Sequence, residues 1–321
     1  MGPRQSRKGF QMASFLEGLL RFDEVGKRQS YTCGLSEIND KRDYVSHERF
    51  VNEPRTGVFQ YRKREWFFKP GDWRGEHWKP ISRSLGPGQI WLTGHSDGEF
   101  DFLDFVRAKA AGANLVLAGN FSGTNRLGAM FGGVPLPLGP QLSELQDSPL
   151  SEAFSMASPF QARDVLVYSN FLPGTAPALR GYLSRLVPEL PHVRAGRYNF
   201  SSEGRAQFLQ EIGTSKFTLC PEGNGLDTHR FWEVLYLGGI PVVIRGSYSD
   251  RVAKLFGLPA LALNNWDDLR NVRALEEQAF AYAGKLDDFN PSALRGSRWI
   301  ENIHSFRRAS ARQPGAPSDV G

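Results

Sequence analysis

The chain has 321 residues, of which 40% are hydrophobic and 12% aromatic, and its formal net charge is +5. This composition excludes a disordered chain, because disordered sequences lack the apolar surface that offsets the entropy cost of ordering. Cys33 and Cys220 are the only cysteines, which excludes a disulfide framework and a cysteine-rich structural metal site.

The length fits two α/β domains better than one large domain. An apolar run of about 18 residues, as a membrane span requires, is not found in the sequence. The stretch "FLEGLL" (residues 15–20) is too short for a signal-peptide core and contains Glu17. We therefore expect no transmembrane segment and a cytoplasmic protein, with a lumenal fragment that lacks its anchor as the alternative.

Residues 1–88 have mixed charge and frequent Gly and Pro, and they predict helices only near residues 10–24 and 46–53. The basic stretch "YRKR" (residues 61–64) is followed by "EWFFK", which combines positive charge with residue types that stack on bases. Because no RNP, KH or zinc-finger pattern accompanies it, we expect no nucleic-acid partner, and nucleic-acid binding remains the weakest of three hypotheses.

From residue 89 the periodicity is clear. "QIWLTG" (residues 89–94) predicts a strand, residues 98–112 predict a helix that ends at Gly112, and "NLVLAGN" (residues 114–120) predicts a second strand. Together they form a β-α-β unit, which places its strands in a parallel sheet.

A second series of alternating strands and helices follows a Pro- and Gly-rich connection. Its predicted strands and helices are, in order, the strand 163–171, the helix 177–190, the helix 206–215, the strand 216–220, the helix 227–237, the strand 239–244, the strand 258–263 and the helix 272–286. With a boundary within residues 140–162, we expect an N-terminal domain over residues 1–150, a C-terminal domain over residues 151–306 and a disordered tail over residues 307–321.

The most informative stretch is "SKFTLCPEGNGLDTHRFWEVLYLGGIPVVIR" (residues 215–245). It predicts a strand, a Gly-rich turn, a helix and a parallel strand, and a right-handed crossover puts the turn "PEGNG" at the carboxyl edge of the sheet, where open α/β sheets bind ligands. Gly223 and Gly225 let backbone N–H groups approach a ligand, and a helix start at Asp227 adds free N–H groups and a positive dipole end. A diphosphate suits this place.

Arg230 and Glu233 lie three positions apart on that helix. The arginine suits phosphate oxygens, and the carboxylate suits two ribose hydroxyls. Simpler roles stay open: an ordinary helical ion pair for Arg230 and Glu233, an N-cap for Asp227, and a packing or capping role for His229. The thiol of Cys220, at the end of a buried strand, is expected in the core.

Residues 215–243 closely resemble the C-terminal signature of exostosin-like glycosyltransferases of the GT47 type. Fainter similarity extends to "VLVYSNFLPGTAPALR" and "LPALALNNWDDL", and in the N-terminal half to "WLTGHSDGEF", "LVLAGNF" and "VPLPLGP". The resemblance implies a GT-B fold, with two Rossmann-like domains facing across a cleft, the C-terminal one holding a nucleotide-sugar donor and the N-terminal one a glycan acceptor.

Carried over by position, the resemblance implies that Arg230 binds the diphosphate, that Glu233 binds the ribose and that Asn224 and Gly225 form the donor turn. With the helix start at Asp227 and with Arg245, which follows the next strand, they make the predicted donor site. Arg163 and Arg180 are expected to be structural or solvated. Glu222 departs from the family pattern, so that either its carboxylate faces the sugar or acceptor or the donor site is altered.

The general base is expected in "TGHSDGEFD" (residues 93–101), at a strand end of the N-terminal half. Asp97 is the first choice, with His95 and Glu99 as further candidates, although a turn or N-cap role also explains Asp97. The chain contains no D-x-D motif, so we expect no metal and no cofactor beyond the donor itself.

The expected activity is that of a hexosyl- or pentosyltransferase that moves a monosaccharide from a nucleotide-diphosphate sugar, UDP-linked, to a glycan hydroxyl. The resemblance implies inversion of configuration. A second hypothesis is a non-catalytic nucleotide-sugar or glycan-binding module of the same fold.

Overall fold

The computed structural model describes residues 15–20, 30–45, 59–60, 90–93, 99–110, 113, 115–122, 132–141, 149–199 and 201–311. The chain forms two compact units that interleave along the sequence. The first unit comprises Met1–Arg21, Ser46–Leu138 and Gly296–Gly321, and the second comprises Phe22–Val45 and Gly139–Arg295. The two-domain GT-B arrangement stays a prediction.

The first unit contains a parallel sheet of four short strands in the order β1-β2-β3-β4. These strands are β1 (Phe59–Gln60), β2 (Ile90–Thr93), β3 (Leu115–Ala118) and β4 (Gly133–Pro135). The predicted β-α-β unit is confirmed, since β2 and β3 pair in parallel with Ile90 opposite Leu115 and a helix, Phe102–Ala110, connects them. Phe100, Phe105 and Phe121 pack together as part of a buried cluster of this unit.

The second unit contains a parallel sheet of five strands in the order β6-β5-β7-β8-β9. Its strands are β5 (Val165–Ser169), β6 (Val193–Ala195), β7 (Ser215–Leu219), β8 (Ile240–Ile244) and β9 (Leu261–Leu263). Each predicted strand of the second series lies in this sheet, which makes the fold a Rossmann-like α/β fold. The order also includes β6, a short edge strand that the sequence did not predict.

The helices are numbered in chain order, and short 3-10 turns are left out of the numbering. They are α1 (Tyr31–Lys41), α2 (Phe102–Ala110), α3 (Pro149–Met156), α4 (Pro177–Leu186), α5 (Ser202–Gly213), α6 (His229–Tyr236), α7 (Tyr248–Phe256), α8 (Val272–Ala283) and α9 (Gly296–Ala311). Helix α6, which connects β7 to β8, packs against α5. Five residues of the predicted disordered tail, 307–311, are instead the last part of helix α9, so that prediction was wrong for them.

Helix α1 was not predicted, because its sequence is largely polar. Two of its side chains are bonded to α6 in the second unit: Tyr31 Oη donates to the Leu235 carbonyl at 3.4 Å, and Asn39 Nδ2 donates to the Tyr236 carbonyl at 3.0 Å. Residues 15–20 are helical, within the helix predicted near residues 10–24. The other predicted helix, residues 46–53, and the basic stretch at residues 61–69 lie outside the described residues.

Arg163 has the structural role that the sequence analysis expected. It is buried and donates to the Ser215 carbonyl at 2.7 Å and to the Leu237 carbonyl at 2.5 Å. Burial lowers the pKa of its guanidinium to about 10. These bonds tie the beginning of β7 to the end of α6, at the edge of the sheet opposite the Gly-rich turn.

Candidate functional site

The Gly-rich turn lies where the strand order of the five-stranded sheet reverses. From β5 the chain moves outward to β6, and then it crosses back to β7 on the other side of β5. The segments that leave the carboxyl ends of β5 and β7 therefore diverge, and this switch point is where open α/β sheets place a ligand crevice. The turn at residues 221–225 follows β7 directly, as predicted.

The two residues of the turn assigned to the donor differ in exposure. Asn224 is exposed, whereas Gly225 is buried. The N–H of Gly223 donates to the Gly225 carbonyl at 3.1 Å, which closes the turn on itself. A Cβ atom at Gly223 would lie only 2.9 Å from Nη2 of Arg180, so glycine here allows the arginine to approach.

Arg230 is buried, with 8% of its surface exposed. Among the described residues its guanidinium makes no hydrogen bond and no ion pair, and its buried Nε is left without an acceptor. Its Cζ lies 5.6 Å from the ring centroid of Phe208, in cation–π contact. Burial lowers the pKa of Arg230, as it disfavours the charged form of any buried base.

A second buried arginine, Arg180 on α4, reaches the same turn. Its Nε donates to the Glu222 carbonyl at 3.0 Å, its Nη2 to the Pro221 carbonyl at 3.1 Å, and its Nη1 to the Thr175 hydroxyl. Burial, and after it the neighbouring charge of Arg230, lowers the pKa of Arg180 to about 10. Within the described part of the chain no carboxylate pairs with either arginine.

Arg180 has a larger part than its sequence predicts. The sequence predicts a structural or solvated side chain; the structural role is confirmed, and the residue is also part of the candidate site. The local pattern "PALRGYL" (residues 177–183) carries no sign of this, because a turn 41 or 42 positions away provides the two carbonyl groups.

Glu233 pairs with Arg205 rather than with Arg230. Arg205 on α5 donates from Nη1 to Oε2 at 3.2 Å and from Nη2 to Oε1 at 2.5 Å, and the N–H of Gln141 donates to Oε1 at 3.1 Å. Only 1% of Glu233 is exposed. Burial opposes ionisation, but the charge and hydrogen bonds of Arg205 outweigh it and hold the pKa of Glu233 below its usual range. Sequence reasoning missed Arg205 entirely.

Asp227 and His229 anchor the start of α6. The carboxylate of Asp227 accepts from Trp232 Nε1 at 2.9 and 3.0 Å and from the N–H of Thr228 at 2.8 Å. The N-cap residue is Thr228 rather than Asp227, and its side chain makes no capping bond. Nδ1 of His229 lies 2.9 Å from the Gly139 carbonyl oxygen, in agreement with the packing role considered for it.

The carboxylate of Glu222 is turned toward the start of helix α7. Its Oε1 accepts from the N–H of Tyr248 at 3.4 Å, in the first turn of α7. A helix N-terminus carries free N–H groups and a positive dipole end, which favour a carboxylate there. Arg245 is exposed, and its Nε donates to Oδ1 of Asn264 at 3.0 Å.

Several buried polar atoms near this edge find no hydrogen-bond partner among the described residues. They are Asn170 Oδ1, Thr218 Oγ1, Thr228 Oγ1, Arg230 Nε and Ser249 Oγ. Asn170 follows β5, Thr218 is near the end of β7, and Thr228 and Ser249 lie at the starts of α6 and α7. Because buried polar groups are nearly always bonded, we expect water or a polar ligand to complete the hydrogen bonds of these atoms.

The predicted general bases belong to the first unit. Asp97 and His95 lie outside the described residues, and Glu99 is exposed. Asp101, two positions after Glu99, accepts from the N–H of Asp104 at 2.9 Å at the start of α2. Among the described residues no three His, Cys, Asp or Glu side chains are grouped to hold a metal ion.

No helix in the described ranges has the length and apolar character that a membrane span needs. Cys220 is buried at the end of β7, as expected.

The arrangement at the switch point is suited to an anion. It joins two buried guanidinium groups without a carboxylate partner in the described chain, a Gly-rich turn and the start of α6. One guanidinium group can bind two phosphate oxygens at once, and a low-dielectric site strengthens the attraction between the two charges. Comparison of the chain with protein-family models and with curated proteins finds no match.

Proposed function

We propose that this chain is a glycosyltransferase that moves a monosaccharide from a nucleotide-diphosphate sugar, UDP-linked, to a glycan hydroxyl. The observation that carries the proposal is the buried guanidinium of Arg230, which makes no hydrogen bond or ion pair with the described residues, at the switch point of a Rossmann-like sheet. A buried charge without a partner is costly, and a site that binds an anion recovers that cost when the ligand arrives.

The residues at this site have distinct parts in the proposal. Arg230 and Arg180 bind the oxygens of the diphosphate, and the start of α6 adds its dipole. During transfer the departing diphosphate gains negative charge, so cations positioned beforehand stabilise the transition state. This part of the reaction needs no metal ion in the proposal, because the two arginines supply the positive charge.

One residue of the predicted donor site, Glu233, does not contact the donor in the proposal. It is bonded to Arg205 and Gln141 through the oxygens that a ribose would use, and we therefore do not assign it to ribose binding. Asn224 and Gly225 keep their place in the donor turn, and Arg245, which is exposed, is assigned to the outer edge of the donor site.

The acceptor side rests on the sequence pattern. Asp97, with His95 and Glu99 beside it, is the proposed general base that takes the proton of the acceptor hydroxyl, and inversion of configuration follows from the family resemblance. The GT-B assignment has the same basis: the motif at residues 215–243 supports it, as do the fainter similarities in the N-terminal half.

The test is a thermal-shift screen with UDP, GDP and their sugars, followed by calorimetric titration of the best ligand. We expect UDP and a UDP-sugar to raise the melting temperature of the wild type, and Arg230→Gln to abolish the effect. Arg273→Gln is the control, since it removes the same charge from an exposed position on α8. No shift with any nucleotide, or equal shifts in both variants, would contradict the proposal.

Turnover separates the enzyme from the binding module. A UDP-sugar that binds and is slowly hydrolysed to free UDP supports a transferase. Binding in the switch-point site without any nucleotide release, across a panel of glycan acceptors, assigns the chain to the non-catalytic alternative.

A further inference from the structure

Two oppositely charged neighbours on one helix fail to pair in this protein. Arg230 and Glu233 are three positions apart on α6, the spacing at which helical ion pairs form. Glu233 is close enough to act electrostatically on Arg230. Their charges nevertheless remain separate, because the carboxylate is bonded elsewhere.

Arg205 forms an ion pair with the carboxylate of Glu233. The two side chains meet fork to fork, through the contacts of 3.2 and 2.5 Å between α5 and α6. Such a bidentate pair is stronger and more directional than a side-by-side pair on one helix. Consequently the carboxylate of Glu233 is held away from Arg230.

Phe208, one turn after Arg205 on α5, contacts Arg230 with the face of its aromatic ring. The Cζ atom of Arg230 lies 5.6 Å from the ring centroid, and that of Arg205 lies 5.2 Å from the same centroid. An aromatic ring attracts a guanidinium without accepting a conventional hydrogen bond from it. The hydrogen-bonding capacity of Arg230 therefore stays available for a ligand.

From these contacts we infer that Arg205 and Phe208 are positioning residues: they keep the guanidinium of Arg230 in place and free of the Glu233 carboxylate, so that it can bind the anion. Arg205 binds Glu233 and thereby prevents Glu233 from quenching Arg230, and Phe208 holds the guanidinium in place. This inference rests on the proposed function, since it concerns the same site. It assigns roles to two residues on a helix that the sequence motif does not include.

The first experiment measures UDP affinity by calorimetry in Arg205→Gln, Glu233→Gln and the double variant. Once Arg205 is removed, Glu233 can turn to Arg230, so Arg205→Gln should bind UDP about tenfold more weakly. The double variant lacks the quenching carboxylate and should recover to within about threefold of wild type, and Glu233→Gln alone should bind at least as tightly as wild type.

Two results would overturn the positioning role of Arg205. If the double variant stays as weak as Arg205→Gln, then Arg205 contacts the ligand or supports the fold by itself. If Glu233→Gln alone weakens UDP binding, then Glu233 touches the nucleotide. Melting temperatures of all variants, measured without ligand, show that each one is folded.

The second experiment separates the ring of Phe208 from its volume. Phe208→Leu should weaken UDP binding about three- to thirtyfold, whereas Phe208→Tyr and Phe208→Trp, which keep an aromatic face, should stay within about threefold of wild type. Equal weakening in all three variants, or none in the leucine variant, would overturn the role of the ring.

A ligand-free readout keeps the inference apart from the proposed function. The NMR signal of the Arg230 Nε–H group, assigned with Arg230→Lys, should carry a ring-current shift that disappears in Phe208→Leu and changes in Arg205→Gln. If the wild type binds no nucleotide, the proposed function fails and this signal alone decides the inference. If UDP binds through Arg230 but the α5 variants match wild type in affinity and spectrum, the inference fails and the proposed function stands.

Discussion

The guanidinium of Arg180 is bonded to the backbone of Glu222, with Nε donating to its carbonyl oxygen at 3.0 Å. A second donor of Arg180 reaches the carbonyl of Pro221, and a third reaches the hydroxyl of Thr175. The segments that follow β5 and β7 are thus tied together across the switch point. The side chain that orients the Gly-rich turn is also the second cation of the proposed anion site.

Arg180→Met should weaken UDP binding about tenfold or more, since it removes one charge-assisted contact and loosens the turn. The free energy of unfolding should fall by about 1–3 kcal/mol, because the buried carbonyl of Pro221 and the partly buried carbonyl of Glu222 lose their donor. Calorimetry and urea unfolding measure the two effects. Arg185→Gln, an exposed position on the same helix, is the control and should change neither.

Gly223→Ala tests whether the turn must admit Arg180. The new Cβ atom would lie 2.9 Å from Nη2 of Arg180, so the guanidinium has to move from its two carbonyl acceptors. We expect UDP affinity to fall several-fold with a loss of stability of about 1 kcal/mol. Gly174→Ala offers a matched comparison, because nothing lies within 4 Å of a Cβ atom there. Equal behaviour of the two variants would show that the approach of Arg180 is unimportant.

Arg230→Met should separate stability from ligand binding. Methionine keeps much of the apolar volume but removes a buried charge that has no partner among the described residues. The ligand-free variant should therefore unfold with a free energy no lower than that of the wild type, while its UDP affinity is lost. Urea unfolding without nucleotide measures the first effect. A clear loss of stability would mean that Arg230 is a structural residue, paired in solution with a group that compensates its charge.

The two cysteines should differ in reactivity. Burial raises the pKa of Cys220 to about 12, whereas Cys33 is exposed. Because the thiolate is the nucleophile, Cys220 should resist iodoacetamide at pH 8.5 in the folded protein, while Cys33 is alkylated. The pKa of Cys220 is higher in the folded state than in the unfolded state. Above about pH 9 the thiol therefore ionises in the unfolded state but not in the folded one, and the free energy of unfolding falls as the pH rises further. Mass spectrometry of the peptides gives the modified fraction of each cysteine, and rapid alkylation of Cys220 would contradict its burial.

The local patterns of the sequence were sufficient for most of the second unit. Strands such as β7 and β8 are short apolar runs bounded by Gly and Pro, and the helix between them has a clear apolar stripe. Alternation of strands and helices then implies a parallel sheet, because parallel strands need crossover connections. Helix α1 could not be found in this way, since its polar sequence is held by bonds of Tyr31 and Asn39 to α6, about 200 positions away.

By itself, the sequence determined that Arg230 and Glu233 share one helix beside a Gly-rich turn at the carboxyl edge of the sheet, because helical spacing and strand periodicity are local properties. Only the tertiary structure decided which groups these two side chains contact. Arg205, 28 positions from Glu233, takes the carboxylate in a two-pronged pair, and Arg180 reaches the turn from another helix. The partner of a buried charge depends on which helices pack together, and no spacing along the chain encodes that choice.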